Sequence, residues 1–335
     1  MTSNYQHLRK AEHGGRGAGE VFANQRPFLD FSVNLNPCAP VLDYHLPKER
    51  IIRYPDDDYS ELKDVIARHH GRKPEEICVG NGSVEVIRTL CHTYIKPGTT
   101  AMIPAHTFSE YALSAKLAGA DITHTMGAQA DITFFCNPDN PSGILTPRTE
   151  IIEKLNRISK YGGIFCVDEA FIDLADPAQQ VSDIVHPSLF VLRSLTKSFS
   201  MAGVRFGYGI GDASLIAAME VMRPPWSVNA FAESMAIQAF QRYTELDDAR
   251  TYISKERERI CRRGRELGLT PTPASANFVM FKTGCNASSL TNKMRQLGVL
   301  IRDCSSFGLA SNIRVAVMKR EENDILLEAL EKCLH

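Results

Sequence analysis

Four short stretches place polar residues where chemistry is done. Gly80-Asn81-Gly82-Ser83 follows an apolar run and opens a helical pattern, so its backbone N–H groups are able to cradle a phosphate with a helix dipole behind them. Alone, such a turn is more often simply a tight connection. Asn137-Pro138-Asp139-Asn140-Pro141-Ser142-Gly143 is a turn made rigid by its prolines that presents polar side chains, and its plain reading is a solvated loop. Asp168 ends the apolar run Gly163 to Val167, where a carboxylate is costly unless a charge meets it; a protonated ring nitrogen is one such partner. The fourth stretch, Ser194 to Tyr208, holds Lys197 between an apolar run and a Gly-flanked one. A single lysine there reads as an exposed loop residue, but with Ser194 before it and Arg205 after it the combination is far more specific.

The elements that must position these groups are short and buried. Apolar runs at Ile77 to Val79, Thr100 to Ile103, Ile132 to Cys136, Gly163 to Val167, Leu189 to Leu192 and Val204 to Ile210 predict strands. Between them, 3.6-residue periodicity at Val84 to Tyr94, Ser109 to Ala118 and Glu150 to Lys160 predicts helices. The alternation implies an α/β fold with a mostly parallel sheet covered on both faces, whose functional groups collect at the carboxyl ends of the strands. After Arg223-Pro224-Pro225 the pattern changes to a charged helix from Glu245 to Leu267, a strand at Ala276 to Phe281, a helix at Ser288 to Leu297, strands at Val299 to Arg302 and Asn312 to Val317, and a closing helix. The expected organisation is an arm over residues 1–36 folding back on the second unit and the cleft, a large α/β domain over 37–225, and a smaller α+β domain over 226–335.

Composition narrows the function classes. The chain has 335 residues, 44% of them hydrophobic and 23% charged, with a formal net charge of -1. No global basic field favours nucleic acid or an anionic membrane, and no apolar run approaches the roughly 20 residues of a spanning helix. The nine cysteines form no C-x-x-C pair and the opening residues do not resemble a signal peptide, which gives cytoplasmic localisation as the expectation. Asp56-Asp57-Asp58 reads as complementing a helix N-terminus, and the adjacent His69-His70 make poor metal geometry, so no metal site is expected. Lys255 to Arg265 interleaves glutamates and reads as a solvated helix face.

Taken together and in order, these motifs resemble the fold-type-I pyridoxal-phosphate enzymes, over nearly the whole chain. The resemblance implies a seven-stranded sheet flanked by helices and pyridoxal 5'-phosphate as cofactor. It implies that Lys197 carries the cofactor covalently and that Ser194, Arg205, Gly82 and Ser83 hold its phosphate. Asn140 is then the partner of its phenolic oxygen, Asp168 of its ring nitrogen, and Phe108 the ring stacked on its face. Tyr54, in Arg53-Tyr54-Pro55-Asp56, is similar to a tyrosine that reaches the cofactor phosphate of the neighbouring subunit, which implies a homodimer. The sequence departs from many aminotransferases of this fold at Phe171, which stands where they carry a tyrosine.

Two subfamilies share these features, the histidinol-phosphate aminotransferases and the L-threonine-O-3-phosphate decarboxylases of cobalamin biosynthesis. His13-Gly14-Gly15, Asp30 to Pro37, Asp168-Glu169-Ala170-Phe171-Ile172-Asp173, Val191 to Lys197 and Pro225 to Ala230 resemble the decarboxylases. By that resemblance His13, Gly14, Asn34, Asn140, Arg302 and Arg314 contact a phosphorylated amino acid, and a substrate with both a carboxylate and a phosphate suits the forked donors of paired arginines. The bond that breaks is the one held perpendicular to the cofactor ring: carbon dioxide leaves if that is the carboxylate, and a proton leaves if it is not. The expectation of decarboxylation comes from the resemblance. The chain is short between Ala120 and Asp131, and Arg16 stands where those decarboxylases generally have asparagine, which raises serine phosphate as an alternative substrate.

Overall fold

The computed structural model describes residues 9–11, 13–15, 21–22 and 26–334; Arg16 lies outside them. The chain begins with the short strands β1 (Val21–Phe22), β2 (Arg26–Pro27) and β3 (Leu29–Asp30), then α1 (Lys48–Ile52) and α2 (Ser60–His70). An alternating series follows: β4 (Ile77–Gly80), α3 (Ser83–Tyr94), β5 (Thr100–Met102), α4 (Glu110–Leu117), β6 (Asp121–Thr123), β7 (Ile132–Cys136), α5 (Arg148–Ser159), β8 (Ile164–Asp168), β9 (Leu189–Arg193), α6 (Leu195–Ser198) and β10 (Gly207–Ile210). These strands form a seven-stranded sheet in the order β4-β10-β9-β8-β7-β5-β6, parallel throughout except for β10, which runs against both neighbours.

Alternation along each strand buries both faces. Ile77, Val79, Phe165, Val167, Leu189 and Val191 face one core, and Cys78, Cys166, Phe190 and Leu192 the other. The same alternation decides what happens at the carboxyl ends of the strands. Asp168 continues the Ile164 and Cys166 face, while Glu169 and Arg193 continue the opposite one. There Arg193, 1% exposed, donates to Glu169 Oε2 at 2.8 Å, to Asp173, and to the Tyr243 hydroxyl at 3.2 Å. This buried ion cluster ties β8 to β9 directly behind the residues that leave the sheet as Asp168 and Ser194.

Beyond this sheet come α7 (Ala213–Met222), α8 (Ala230–Gln241), α9 (Leu246–Glu266), β11 (Thr270–Pro271), β12 (Phe278–Lys282), α10 (Ala287–Gln296), β13 (Val299–Leu300), β14 (Arg302–Asp303), β15 (Asn312–Ala316) and α11 (Arg320–Leu334). β11, β12, β15 and β14 form an antiparallel sheet. Val279, Phe281, Ile313 and Val315 pack it on Ile253, Ile260, Leu290 and Leu326 of the helices, which leaves Arg314 on its other face. α8 begins at Asn229, whose side chain accepts from the Ala232 N–H, and it packs against α2. The arm reaches the far part of the chain through β3, which pairs in parallel with β13.

Three sequence expectations change. The strand expected from Val204 starts only at Gly207, because Arg205 takes a left-handed backbone (φ 66°) that cannot extend a strand. The run Val299 to Arg302 divides into β13, paired with the arm, and β14, paired with β15. The segment from Ala120 to Asp131, read as merely shortened, contains the edge strand β6, whose side chains are exposed or half-buried and so leave no apolar run to detect.

Replacing Arg193 with Met leaves Glu169 and Asp173 buried without their cation. We expect a loss of about 3–5 kcal/mol in unfolding free energy, read from urea midpoints; a loss under about 1 kcal/mol would show that the cluster does not brace the strand ends.

Candidate active site

Because the strands run parallel, their carboxyl ends meet along one edge, and the reversed β10 brings its amino end to the same edge. A cleft of about 740 Å³ lies there, between the two sheets. Ser83, Phe108, Asn140, Asp168, Ser194, Lys197 and Arg205 line it from the large sheet's side. His13, Gly14, Asn34, Arg302 and Arg314 line it from the arm and the small sheet. Two of the expected residues stand elsewhere: Gly82 is just behind Ser83, and Tyr54 is 80% exposed, its ring tilted 34° against that of Trp226 with centroids 4.5 Å apart.

Lys197 occupies a single turn of helix capped by Ser194, whose hydroxyl accepts from the Thr196 N–H. The turn is stapled from outside: Asn36 N–H donates to the Lys197 carbonyl at 3.0 Å, and the Asn36 amide to the Ser198 carbonyl at 2.8 Å. Burial, reinforced by the nearby charges of Arg314 and Arg205, lowers the Lys197 amine to about 8. Its neutral, nucleophilic form is therefore far more populated near neutral pH than in an ordinary lysine. Across the cleft, burial raises Asp168 above the usual carboxylate range, opposed by the Tyr111 hydroxyl, which donates to Oδ2 at 2.5 Å, and by the Ala170 N–H, which donates to Oδ1 at 2.9 Å. Tyr111 was not singled out from the sequence. The available signal was its position three residues after Phe108 in a helical pattern, which puts both rings on one face; they meet edge to face at 5.4 Å.

Two places in the cleft hold cationic groups without a carboxylate partner among the described residues. Gly82 has φ 83°, and a Cβ there would lie 2.5 Å from Arg205 Nη2, so only glycine lets that guanidinium rest against the amino end of α3. A Cβ on Gly207 would come 2.3 Å from the Ser83 nitrogen, so this corner too is kept clear. A cation beside a helix N-terminus is electrostatically unfavourable until an anion joins them, and a phosphate fits both donors. The second place is Arg314, 6% exposed, which donates to Asn140 Oδ1 and, at 3.1 Å, to the Ser32 carbonyl. Its Nε is buried without a partner, it has no carboxylate partner among the described residues, and burial lowers it to about 10. Arg302 is its cross-strand neighbour.

The arm completes the wall. A Cβ on Gly14 would collide with the Ser32 carbonyl at 2.4 Å, so the glycine allows the arm to lie against the cleft. His13 Nε2 meets Glu110 Oε1 at 2.9 Å, and this contact, ahead of the opposing effect of burial, holds Glu110 below its ordinary range. Phe171 lies edge-on to Phe278, with ring centroids 5.1 Å apart.

Comparison with known proteins gives the following likenesses. A family profile described as "Aminotransferase class I and II" matches residues 38–330. "Histidinol-phosphate aminotransferase 2" of Archaeoglobus fulgidus is 32% identical, covering 91% of this chain and 92% of its own length. A protein of Caldanaerobacter subterraneus subsp. tengcongensis named "Putative threonine-phosphate decarboxylase" is also 32% identical, covering 96% of this chain and 94% of its own. The crystal structure of a histidinol-phosphate aminotransferase from Clostridium acetobutylicum superposes with a TM-score of 0.81 at 26% identity, over 91% of this chain and 99% of that one.

If Arg314 helps keep Lys197 neutral, the charge-free variant Arg314→Met should need a higher pH to expose the amine. Cofactor-free protein mixed with pyridoxal 5'-phosphate should develop its visible absorption band at a rate that rises with pH through about 8. In Arg314→Met that inflection should move upward, and an unmoved inflection would remove Arg314 from the electrostatics of the lysine.

Proposed function

Because the chain belongs to the class I and II aminotransferase family and its cofactor is pyridoxal 5'-phosphate, we propose that it acts on the amine of a phosphorylated amino acid and decarboxylates L-threonine O-3-phosphate. The observation that carries this reading is Arg314, a buried guanidinium without a carboxylate partner among the described residues, set opposite Arg302 on adjacent strands. Like charges directly opposed across a sheet are unfavourable, and a substrate bearing two separate anions turns that cost into binding. Histidinol phosphate carries a phosphate but no carboxylate and so matches only one of the two arginines at a time.

In this reading Ser83, Ser194 and Arg205 hold the cofactor phosphate, Asp168 keeps the proton on its ring nitrogen, and Phe108 covers its face. The bound cofactor supplies an electron-accepting ring conjugated to the substrate nitrogen. Arg314 is buried and bonded to Asn140, whereas Arg302 on the neighbouring strand is only half-buried. The carboxylate, one bond from Cα, therefore goes to Arg314, and the phosphate, farther along the chain, to Arg302. Since Arg314 occupies Asn140 Oδ1, the Asn140 amide presents its N–H groups to the cleft, ready for an oxygen. Carbon dioxide leaves, and Lys197 is positioned to return a proton to Cα, giving (R)-1-amino-2-propanol O-2-phosphate.

Amino transfer from histidinol phosphate is the second reading, and the relative from Archaeoglobus fulgidus favours it. Purified enzyme supplied with L-threonine O-3-phosphate and no keto acid should release one carbon dioxide per substrate consumed. Turnover that requires 2-oxoglutarate and releases no carbon dioxide would sink the decarboxylase reading in favour of the second.

A homodimer belongs to the same proposal. Tyr54, Ile51, Ile52 and Val221 are each more than half exposed, apolar side chains that a partner subunit would cover. Sedimentation equilibrium should return twice the chain mass of 37.2 kDa; a monomer at micromolar concentration would leave Tyr54 without a site to complete.

A further inference from the structure

His106 lies two residues before Phe108, in the loop from β5 to α4, with an exposed side chain and a left-handed backbone (φ 59°). That conformation is unusual for a residue other than glycine and implies that its surroundings hold it there. Its Nδ1 is 2.5 Å from the Phe307 carbonyl, and since a carbonyl only accepts, Nδ1 carries the proton. Phe307 ends the single 3-10 turn Ser305–Phe307 between β14 and β15. The contact therefore crosses the cleft mouth, from a loop of the large sheet to a loop of the small one.

The held turn is also where Arg302 finds support. Arg302 Nη2 donates to Ser306 Oγ at 2.6 Å, and its guanidinium lies over the Phe307 ring, 5.3 Å from the centroid. Gly308 closes the turn at φ 80°, and a Cβ there would sit 3.0 Å from His106 Nδ1. Backbone and imidazole thus fit closely on both sides of the hydrogen bond. As an isolated surface contact it would contribute little. Its consequence is larger because the turn that it restrains touches the arginine on two sides.

We propose that His106 is a positioning residue for the outer anion site. By fastening the 305–307 turn across the cleft mouth, it fixes the Arg302 guanidinium at the distance from Arg314 that suits a substrate with a carboxylate at one end and a phosphate at the other. The inference rests on the proposed reading that Arg302 and Arg314 bind those two groups.

The test uses holoenzyme and 3-phosphonopropanoate, which carries a carboxylate and a phosphonate but no amine, with its Kd measured by calorimetry. His106→Ala should weaken binding about five- to tenfold, raise KM for the phosphorylated substrate by a similar factor, hold kcat within about twofold, and leave the visible cofactor band in place. Gly308→Ala, which disturbs the same contact from the other side, should do likewise, while His106→Gln, able to donate to the carbonyl, should recover part of the loss. In an Arg302→Ala background the His106→Ala change should add nothing further. Arg302→Ala weakening the probe while His106→Ala does not, or His106→Ala costing the same factor with and without Arg302, overturns this inference alone. A probe affinity unchanged in Arg302→Ala overturns the two-anion reading, and this inference with it.

Discussion

One amine and three guanidinium groups share a single cleft, and the repulsion among them is the constraint around which the rest is arranged. Lys197 responds by giving up its proton more readily, at about 8 rather than the ordinary value for a lysine. Arg314 is held by oxygens that carry no full charge, an amide and a carbonyl, so its own charge stays available. Arg205 lies against the positive end of α3 and donates to the Ala202 carbonyl at 3.0 Å. Among the described residues none of the three has a carboxylate partner, so an anion entering the cleft would meet cations that no carboxylate has already neutralised.

The sheets make that repulsion tolerable by separating the charges that brace from the charges that bind. Asp168 and Glu169 are adjacent in sequence but face opposite sides of the sheet, as do Arg193 and Ser194. Glu169 and Arg193 spend their charges on each other in the dry interior. Asp168, held by Tyr111 and Ala170, turns its carboxyl toward the cleft instead of toward that cluster. A shift of one residue in either strand would exchange the two roles, and the matched register of β8 with β9 prevents it.

Much of this was legible in the residues because the relevant signals are local. β7 was expected at Ile132 to Cys136 and is found there, since a wholly buried strand is a continuous apolar run. Asp56 accepts from the Ser60 N–H at the start of α2, the role that its position suggested. The twelve expected cleft residues that do line the cleft include Arg302 and Arg314, although more than a hundred residues separate them from Lys197. Long-range pairing was not legible. Nothing in the sequence near Phe307 points to His106, and nothing in Leu29–Asp30 points to Val299–Leu300, because such contacts are fixed by the fold and leave no periodic trace. The stretch Lys255 to Arg265 was read as a solvated face, yet Glu256 is 4% exposed within it, satisfied by Arg259, Arg320 and Asn323. A buried carboxylate with three partners looks, in sequence, like one more alternating charge.

On the two-anion reading proposed above, the placement of Arg302 and Arg314 also says where selectivity in this cleft resides. The two are directly paired on neighbouring antiparallel strands, so their backbones are a fixed distance apart and only the side chains and the flanking turn can adjust the spacing between guanidinium groups. Arg314 has little freedom, being buried against Asn140, Ser32 and the ring of Phe278. Arg302 is less buried, and two of its supports come from Ser306 and Phe307. On that reading a change of substrate length is accommodated most cheaply in that turn, without touching Lys197, Asp168 or Ser83. On that proposed reading the large sheet fixes the chemistry at Cα, and a few residues at the edge of the small sheet measure the distance to the second charge.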